Sequence, residues 1–237
     1  LILKRLVEGA ERQILEKGTP DRPIWNIEKI LQGLKSTWNY IDGCMIKAIL
    51  EMYAITKDEK YFRFADNFID CKVREDGSIE GYSVEELNID NVNAGKTLFE
   101  LYDLTGKEKY RKAIDLVYSQ IEQMPRTGEG NFWHKNIYPN QVWLDGLYMC
   151  QPFYMEYETR FHEKKNYDDI FRQFFNVVEH MRDPKTGLYY HAYDSSREMF
   201  WCDKVTGLSQ NFWLRALGWY SMALLDTLSK CEPGEEY

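Results

Sequence analysis

Apolar side chains recur at intervals of three and four along most of this chain, the spacing of one face of an α-helix. Leu3, Leu6, Val7, Ala10, Ile14 and Leu15 mark a first helix within Leu1 to Leu15, ended by Gly18 and Pro20. A turn at Asp21-Arg22-Pro23 and a short apolar piece from Ile24 to Leu34 follow. Ser36-Thr37-Trp38-Asn39-Tyr40 then leads into a helix with Ile41, Met45, Ala48, Ile49, Met52 and Tyr53 on one face. The next helix turns Tyr61, Phe64, Ala65, Phe68 and Ile69 inward and is closed by Glu75-Asp76-Gly77-Ser78.

The same order is then repeated. Leu87 to Asn93 enters a helix through Leu98, Leu101 and Tyr102, Thr105 to Tyr110 makes a turn, and Ala113, Ile114, Leu116, Val117 and Ile121 line the following helix. Tyr61 and Tyr110 are equivalent, about fifty residues apart, a period that signals stacked helical hairpins. A third copy runs from Trp143-Leu144-Asp145 to a turn ending at Tyr167, then Ile170, Phe174, Val177, Val178 and Met181. A fourth opens at Ser209 to Trp213, continues through Ala216, Trp219, Met222, Ala223 and Leu225, and stops at Pro233-Gly234. Strand signals are weak, chiefly Leu188-Tyr189-Tyr190-His191. The pattern predicts an all-α repeat in a single domain over residues 1–237. Asn39-Tyr40, Asp90, Trp143-Asp145 and Trp213-Arg215 fall at the same place in successive copies, each at the entry to an alternate helix. In stacked hairpins they face one end of the stack.

Composition narrows the function. The 237 residues carry 30 basic and 38 acidic side chains, a net charge of -8, with no basic cluster, which excludes nucleic acid and anionic membrane as expected partners. No apolar run reaches the length of a membrane span, and the first residues lack a signal-peptide pattern, so a soluble protein is expected. The five cysteines are widely spaced and contain no C-x-x-C pair, which fits thiols in a reducing compartment. Seven Trp and 17 Tyr offer stacking surfaces for sugar rings, although an aromatic-rich core uses the same residues.

The candidate chemistry gathers at those helix entries. Asp145 sits at or just before a helix start and is the candidate acid; its alternative reading is an N-cap. Asp90 is the second carboxylate, with the same alternative. A pair of carboxylates can protonate one group while holding a water or a positive transition state with the other. If the two lie close, repulsion leaves one proton shared between them. Arg215 and Lys135 suit a substrate carboxylate, with a surface ion pair the alternative for Lys135. His134 and His191 lack metal-ligand spacing, so no metal is expected. Neither a phosphate loop nor a G-x-S-x-G elbow is present.

Six stretches resemble glycoside hydrolase family 105, the unsaturated rhamnogalacturonyl hydrolases, and more distantly family 88, the unsaturated glucuronyl hydrolases. They are Trp38 to Gly43, Ile89 to Asn93, Phe132 to Lys135, Gln141 to Met149, His191 to Asp194 and Phe212 to Trp219, in the family's order across nearly the whole chain. Trp143-Leu144-Asp145-Gly146-Leu147-Tyr148-Met149 is the most specific of them. The resemblance implies an (α/α)6-barrel, a ring of six helical hairpins. About four are legible here, so the ring is expected to be incomplete at its C-terminus, with apolar helix faces exposed. Ala216 and Leu217 stand where the family usually has Gly and Asn, a departure that bears on the geometry around Arg215.

The resemblance further implies hydration of a 4,5-unsaturated uronate at the non-reducing end of a pectin-derived oligosaccharide, without a cofactor and in the cytoplasm. Asp145 would protonate C4 and assist water at C5, and Asp90 would orient the substrate and tune Asp145. Tyr40, His134, Lys135, Trp143, Met149, His191, Trp213, Arg215 and Trp219 would hold the sugar. An ordinary inverting glycosidase and a sugar-binding or inactive protein of the same fold are the alternatives. The leaving sugar and the oligomeric state are left open.

Overall fold

The computed structural model describes residues 2–232 and, in the first helix, the side chains of Arg5 and of Glu8 onward. Leu3, Leu6 and Val7 of the first stripe, and the Pro233-Gly234 stop, lie outside what is described. The chain divides into two compact units, one of Leu1–Ser83 and Ala94–Leu116, the other of Val84–Asn93 and Val117–Tyr237.

In the first unit, α1 (Ile2–Lys17) and the short α2 (Ile27–Leu31) precede the hairpin of α3 (Tyr40–Thr56) and α4 (Glu59–Asp70). Asn39 caps α3 by accepting the Asp42 N–H at 3.0 Å, and Asp58 caps α4 through the Lys60 N–H. The buried face of α4 is Tyr61, Ala65, Phe68 and Ile69, as the pattern predicts, with Phe64 half-buried. On α3 the expected face is displaced by one position. Asp42, Gly43, Ile46, Ile49 and Leu50 are buried, while Ala48 is exposed and Ile41, Met45 and Met52 are half-buried. The cause is a buried carboxylate, because Asp42 occupies the inward stripe where an apolar count sees a polar, outward residue. The turn at Gly77 has φ +88°, and a β-carbon there would strike Lys112, so only glycine fits. α3 also packs against α5 (Lys96–Thr105), which precedes α6 (Glu108–Gln123).

The second unit is built on α7 (Leu144–Phe161), which packs against α8 (Tyr167–Met181) and most extensively along α9 (Leu214–Lys230). Ile170, Phe174, Val177 and Met181 of α8 are buried as expected, and Val178 is exposed. On α9 the buried stripe is Ala216, Tyr220, Ala223 and Thr227; Met222 and Leu225, expected inside, are 44% and 70% exposed. Steps of four, three and four hold one face of a helix, and Met222 and Leu225 fall off it. Tyr61, Tyr110 and Tyr167, at the starts of α4, α6 and α8, are all buried, so the repeat seen in the sequence is a structural one.

Two three-residue strands, β1 (Gln141–Trp143) and β2 (Ala192–Asp194), pair antiparallel with Val142 opposite Tyr193 and Trp143 opposite Ala192. The strand expected at Leu188–His191 therefore forms a few residues later, while Tyr189 and Tyr190 make only single bridges to Arg182 and Phe212. This ladder runs directly into the start of α7, where the Leu144 N–H donates to the His191 carbonyl at 3.1 Å. No helix among the described residues is long and apolar enough to cross a membrane. The class is all-α, with the helical hairpins expected of the (α/α)6-barrel families.

Candidate active site

The entries to alternate helices hold most of the candidate residues. Asp90 lies in a 3-10 turn (Ile89–Gly95) ahead of α5, Trp143 is the residue before α7, and Trp213 is the residue before α9. Tyr40 opens α3 in the first unit. The others belong to the second unit, where all but Met149 and Trp219 form a continuous chain of contacts.

The chain begins at Asp90. Its Oδ2 lies 2.7 Å from Lys135 Nζ and its Oδ1 3.3 Å from His134 Nε2. The N-cap reading for Asp90 does not describe this carboxylate, because it is Asn88 whose side chain accepts the Asp90 N–H at 3.1 Å. Burial alone pushes the Asp90 carboxyl up, but the hydrogen bonds from His134 and Lys135 and the Lys135 charge overcome it and leave the group at about 2. Asp90 is thus held ionised by the Lys135 ammonium and the His134 N–H, and no shared proton is needed to account for its charge state. Lys135 is only 22% exposed and committed to Asp90, so it is not a surface ion pair.

From His134 the contacts run through aromatic faces. The buried imidazole stacks on Trp143 at 4.4 Å and 10°. Trp143 lies 5.4 Å from His191, and His191 meets Trp213 edge-on at 4.8 Å. The exposed Arg215 guanidinium covers the other end of this row, 3.9 Å from the Trp213 ring. Met149 is buried within α7, and Trp219 stacks on Tyr148 at 4.7 Å, so neither joins the row.

Asp145 enters from the side. It is the second residue of α7, and the residue in the cap position, Trp143, makes no side-chain capping bond. Its carboxyl is 12% exposed, with Oδ2 3.2 Å from His191 Nε2. That approach is close enough for an ion pair but lacks hydrogen-bond geometry, and both Asp145 Oδ2 and His191 Nε2 are buried without a hydrogen-bond partner. A carboxylate oxygen left open in a buried place is costly unless something else binds there. Gly146 follows because a β-carbon at that position would lie 2.9 Å from His134 Nδ1. The glycine lets α7 start directly against the imidazole.

Trp143, His191 and Trp213 line a cleft of about 670 Å³ together with Phe200, Trp201 and Phe212. Phe200 and Trp201 were not among the residues read as candidates from the sequence. Phe200 is 87% exposed, an unusual position for a large apolar ring. The loop carrying it is held by the fully buried Asp194, which accepts from Ser196, Glu198 and Met199 backbone N–H groups at 2.8–3.0 Å. The available signal was the adjacent Phe-Trp pair, outside any helical period, between Asp194 and the turn at Gly207.

With this geometry in hand, comparison with known proteins identifies the class. The family model described as Glycosyl Hydrolase Family 88 matches residues 22–236. The unsaturated rhamnogalacturonyl hydrolase YesR of Bacillus subtilis (strain 168) is 28% identical over 201 residues, which are 82% of this chain and 54% of that protein. A solved family 105 glycoside hydrolase from C. acetobutylicum ATCC 824 is 45% identical with a TM-score of 0.85, covering 94% of this chain and 58% of that one. A possible family 105 member from Klebsiella pneumoniae shares the fold, at 20% identity and a TM-score of 0.70, over 84% of this chain and 49% of that one. The chain belongs to glycosyl hydrolase family 88 and its family 105 relatives, as the sequence motifs predict. It spans about half the length of the curated relative that it matches.

Proposed function

We propose that the protein removes a 4,5-unsaturated uronate from the non-reducing end of pectin-derived oligosaccharides, rhamnogalacturonan fragments in particular, by hydrating the enol-ether double bond. The observation that carries this reading is the open Asp145 oxygen beside His191, a residue that lines an aromatic cleft. The family and the activity named for the Bacillus subtilis relative support the substrate class.

In this reading Asp145, protonated, delivers its proton to C4 of the double bond. Positive charge then develops at C5 and the ring oxygen, stabilised by the returned carboxylate. Water adds at C5, giving its proton back to Asp145, so the residue ends as it began. The hemiketal opens by breaking the bond between C5 and the ring oxygen, which becomes the hydroxyl of a hemiacetal at C1. That hemiacetal expels the remaining sugar as an alcohol. His191 orients the Asp145 carboxyl, and Asp90 with His134 and Lys135 forms a fixed ion-paired site for sugar hydroxyls. Lys135 is already paired, so Arg215, exposed over Trp213, is the cation that takes the substrate carboxylate. Trp143 and Trp213 provide stacking faces, and by the family resemblance the reaction is a cytoplasmic one.

The test pairs two disaccharides that differ only in the double bond. The unsaturated one is expected to be cleaved with loss of its ultraviolet absorbance and the saturated one left intact. Equal cleavage of both would make the protein an ordinary inverting glycosidase, and cleavage of neither would leave a sugar-binding protein.

A further inference from the structure

Behind His134 lies a small void of about 10 Å³, lined by Gly146, Leu147, Phe132, Gln151 and Gln173 among others. This is the room that one water molecule requires. Two polar atoms on the void-lining residues have no hydrogen-bond partner, His134 Nδ1 and Gln151 Oε1. Their residues are 3% and 1% exposed, so bulk solvent does not satisfy them.

The direction of the surrounding hydrogen bonds decides what can satisfy them. Arg126 binds Asp169 through two contacts of 2.7 and 2.9 Å, which leaves the Asp169 carboxylate an acceptor. The Gln173 Nε2 donates to it at 3.3 Å, so Gln173 must present its Oε1 elsewhere, where it accepts from the Phe132 N–H at 3.1 Å and from Gln151 Nε2 at 3.2 Å. Gln151 is therefore fixed with its carbonyl oxygen outward, an acceptor. At the other end, the carboxylate of Asp90 faces His134 Nε2, which therefore carries a proton, and in a ring that carries that proton alone Nδ1 is an acceptor too. Two acceptors cannot bond each other, and a water with two protons can donate to both.

We infer that a water molecule held by Gln151 donates to His134 Nδ1, and that Gln151 is a positioning residue that locks His134 in the Nε2–H tautomer facing Asp90. The line then reads Asp169, Gln173, Gln151, water, His134, Asp90, with every bond directed outward from the water. It ties the imidazole, and through it the Asp90 carboxylate, to an ion pair behind the helix start. The consequence for turnover rests on the function proposed above, whereas the hydrogen-bond assignment does not.

The experiment therefore reads the histidine itself. In protein labelled with nitrogen-15 at histidine, His134 is expected to appear as the neutral Nε2–H tautomer, with a cross-peak to a bound water. Gln151→Met, close in volume but without the carbonyl, should shift the His134 Nδ1 resonance and leave His191 in place, and Gln151→Glu, which keeps an acceptor, should restore it. On activity, Gln151→Met should lower kcat by about tenfold with KM little changed. An unmoved His134 resonance in Gln151→Met, or a doubly protonated His134 in the unaltered protein, would overturn the inference. Should that variant not fold, a high-resolution crystal structure of the unaltered protein decides it. Density within hydrogen-bond distance of both Nδ1 and Oε1 supports the bridge, and a dry void refutes it.

Discussion

Asp42 and Asp145 are both buried carboxylates in the first turn of a long helix, one in each unit, and their surroundings are opposite. Asp42 is filled. Trp25 Nε1 donates to one oxygen at 2.9 Å, and Ser36 Oγ and Asn39 Nδ2 donate to the other at 3.0 Å each. Burial nevertheless keeps its carboxyl above the usual range, the mark of a group whose surroundings serve packing. Asp145 keeps one oxygen without a hydrogen bond, beside a histidine nitrogen in the same condition. A saturated carboxylate has nothing left to offer a ligand. An open one does, and on the function proposed above this difference separates scaffold from chemistry where sequence position alone does not.

Substitution at the two sites should separate them. Asp145→Asn is expected to lower kcat by roughly 10³-fold, the scale of a lost general acid–base group, with a thermal midpoint near that of the unaltered protein. Asp42→Ala should do the reverse, costing about 2–4 kcal/mol of stability because Trp25, Ser36 and Asn39 lose a buried acceptor. Denaturant unfolding measures the second effect. An Asp42→Ala protein as stable as the parent would end the comparison.

Asp90 sharpens it from the side of charge. Its folded carboxyl lies at about 2 against an ordinary 3.8, so the ionised form is stabilised by folding. That contribution, about 2 kcal/mol at neutral pH, is fully present above pH 4 and is lost as pH falls toward 2. Lys135→Met removes the ammonium paired with Asp90, so acid unfolding should begin at higher pH in that variant; superimposable acid-unfolding curves would contradict the assignment. The smallest effect is expected at Phe200. Phe200→Ala should raise KM about threefold to tenfold through the loss of one stacking face, with kcat unchanged, as steady-state kinetics would show.

The parts of this fold that were legible in the sequence are those set by neighbours along the chain. The tyrosines at the starts of α4, α6 and α8 and the alternate helix entries carrying Asp90, Trp143 and Trp213 all follow from local spacing. What depends on distant residues was not legible. The inward face of α3 was displaced because Asp42 is satisfied by Trp25, 17 residues away. The β1–β2 ladder joins residues some fifty positions apart through three pairs, too few for any period to announce. In the candidate site, Lys135 looked available for a substrate carboxylate until its pairing with Asp90 was seen, and Phe200 stands in a loop that hydrophobic periodicity does not describe.

The most direct measurement of the central claim is a single-turnover record of ultraviolet absorbance as excess protein meets an unsaturated rhamnogalacturonan disaccharide, run beside Asp145→Asn. The account predicts rapid loss of the double-bond absorbance with the unaltered protein and a nearly flat trace with a folded Asp145→Asn that still binds the disaccharide. Equal rates from both would mean that the open carboxylate beside His191 is not the acid.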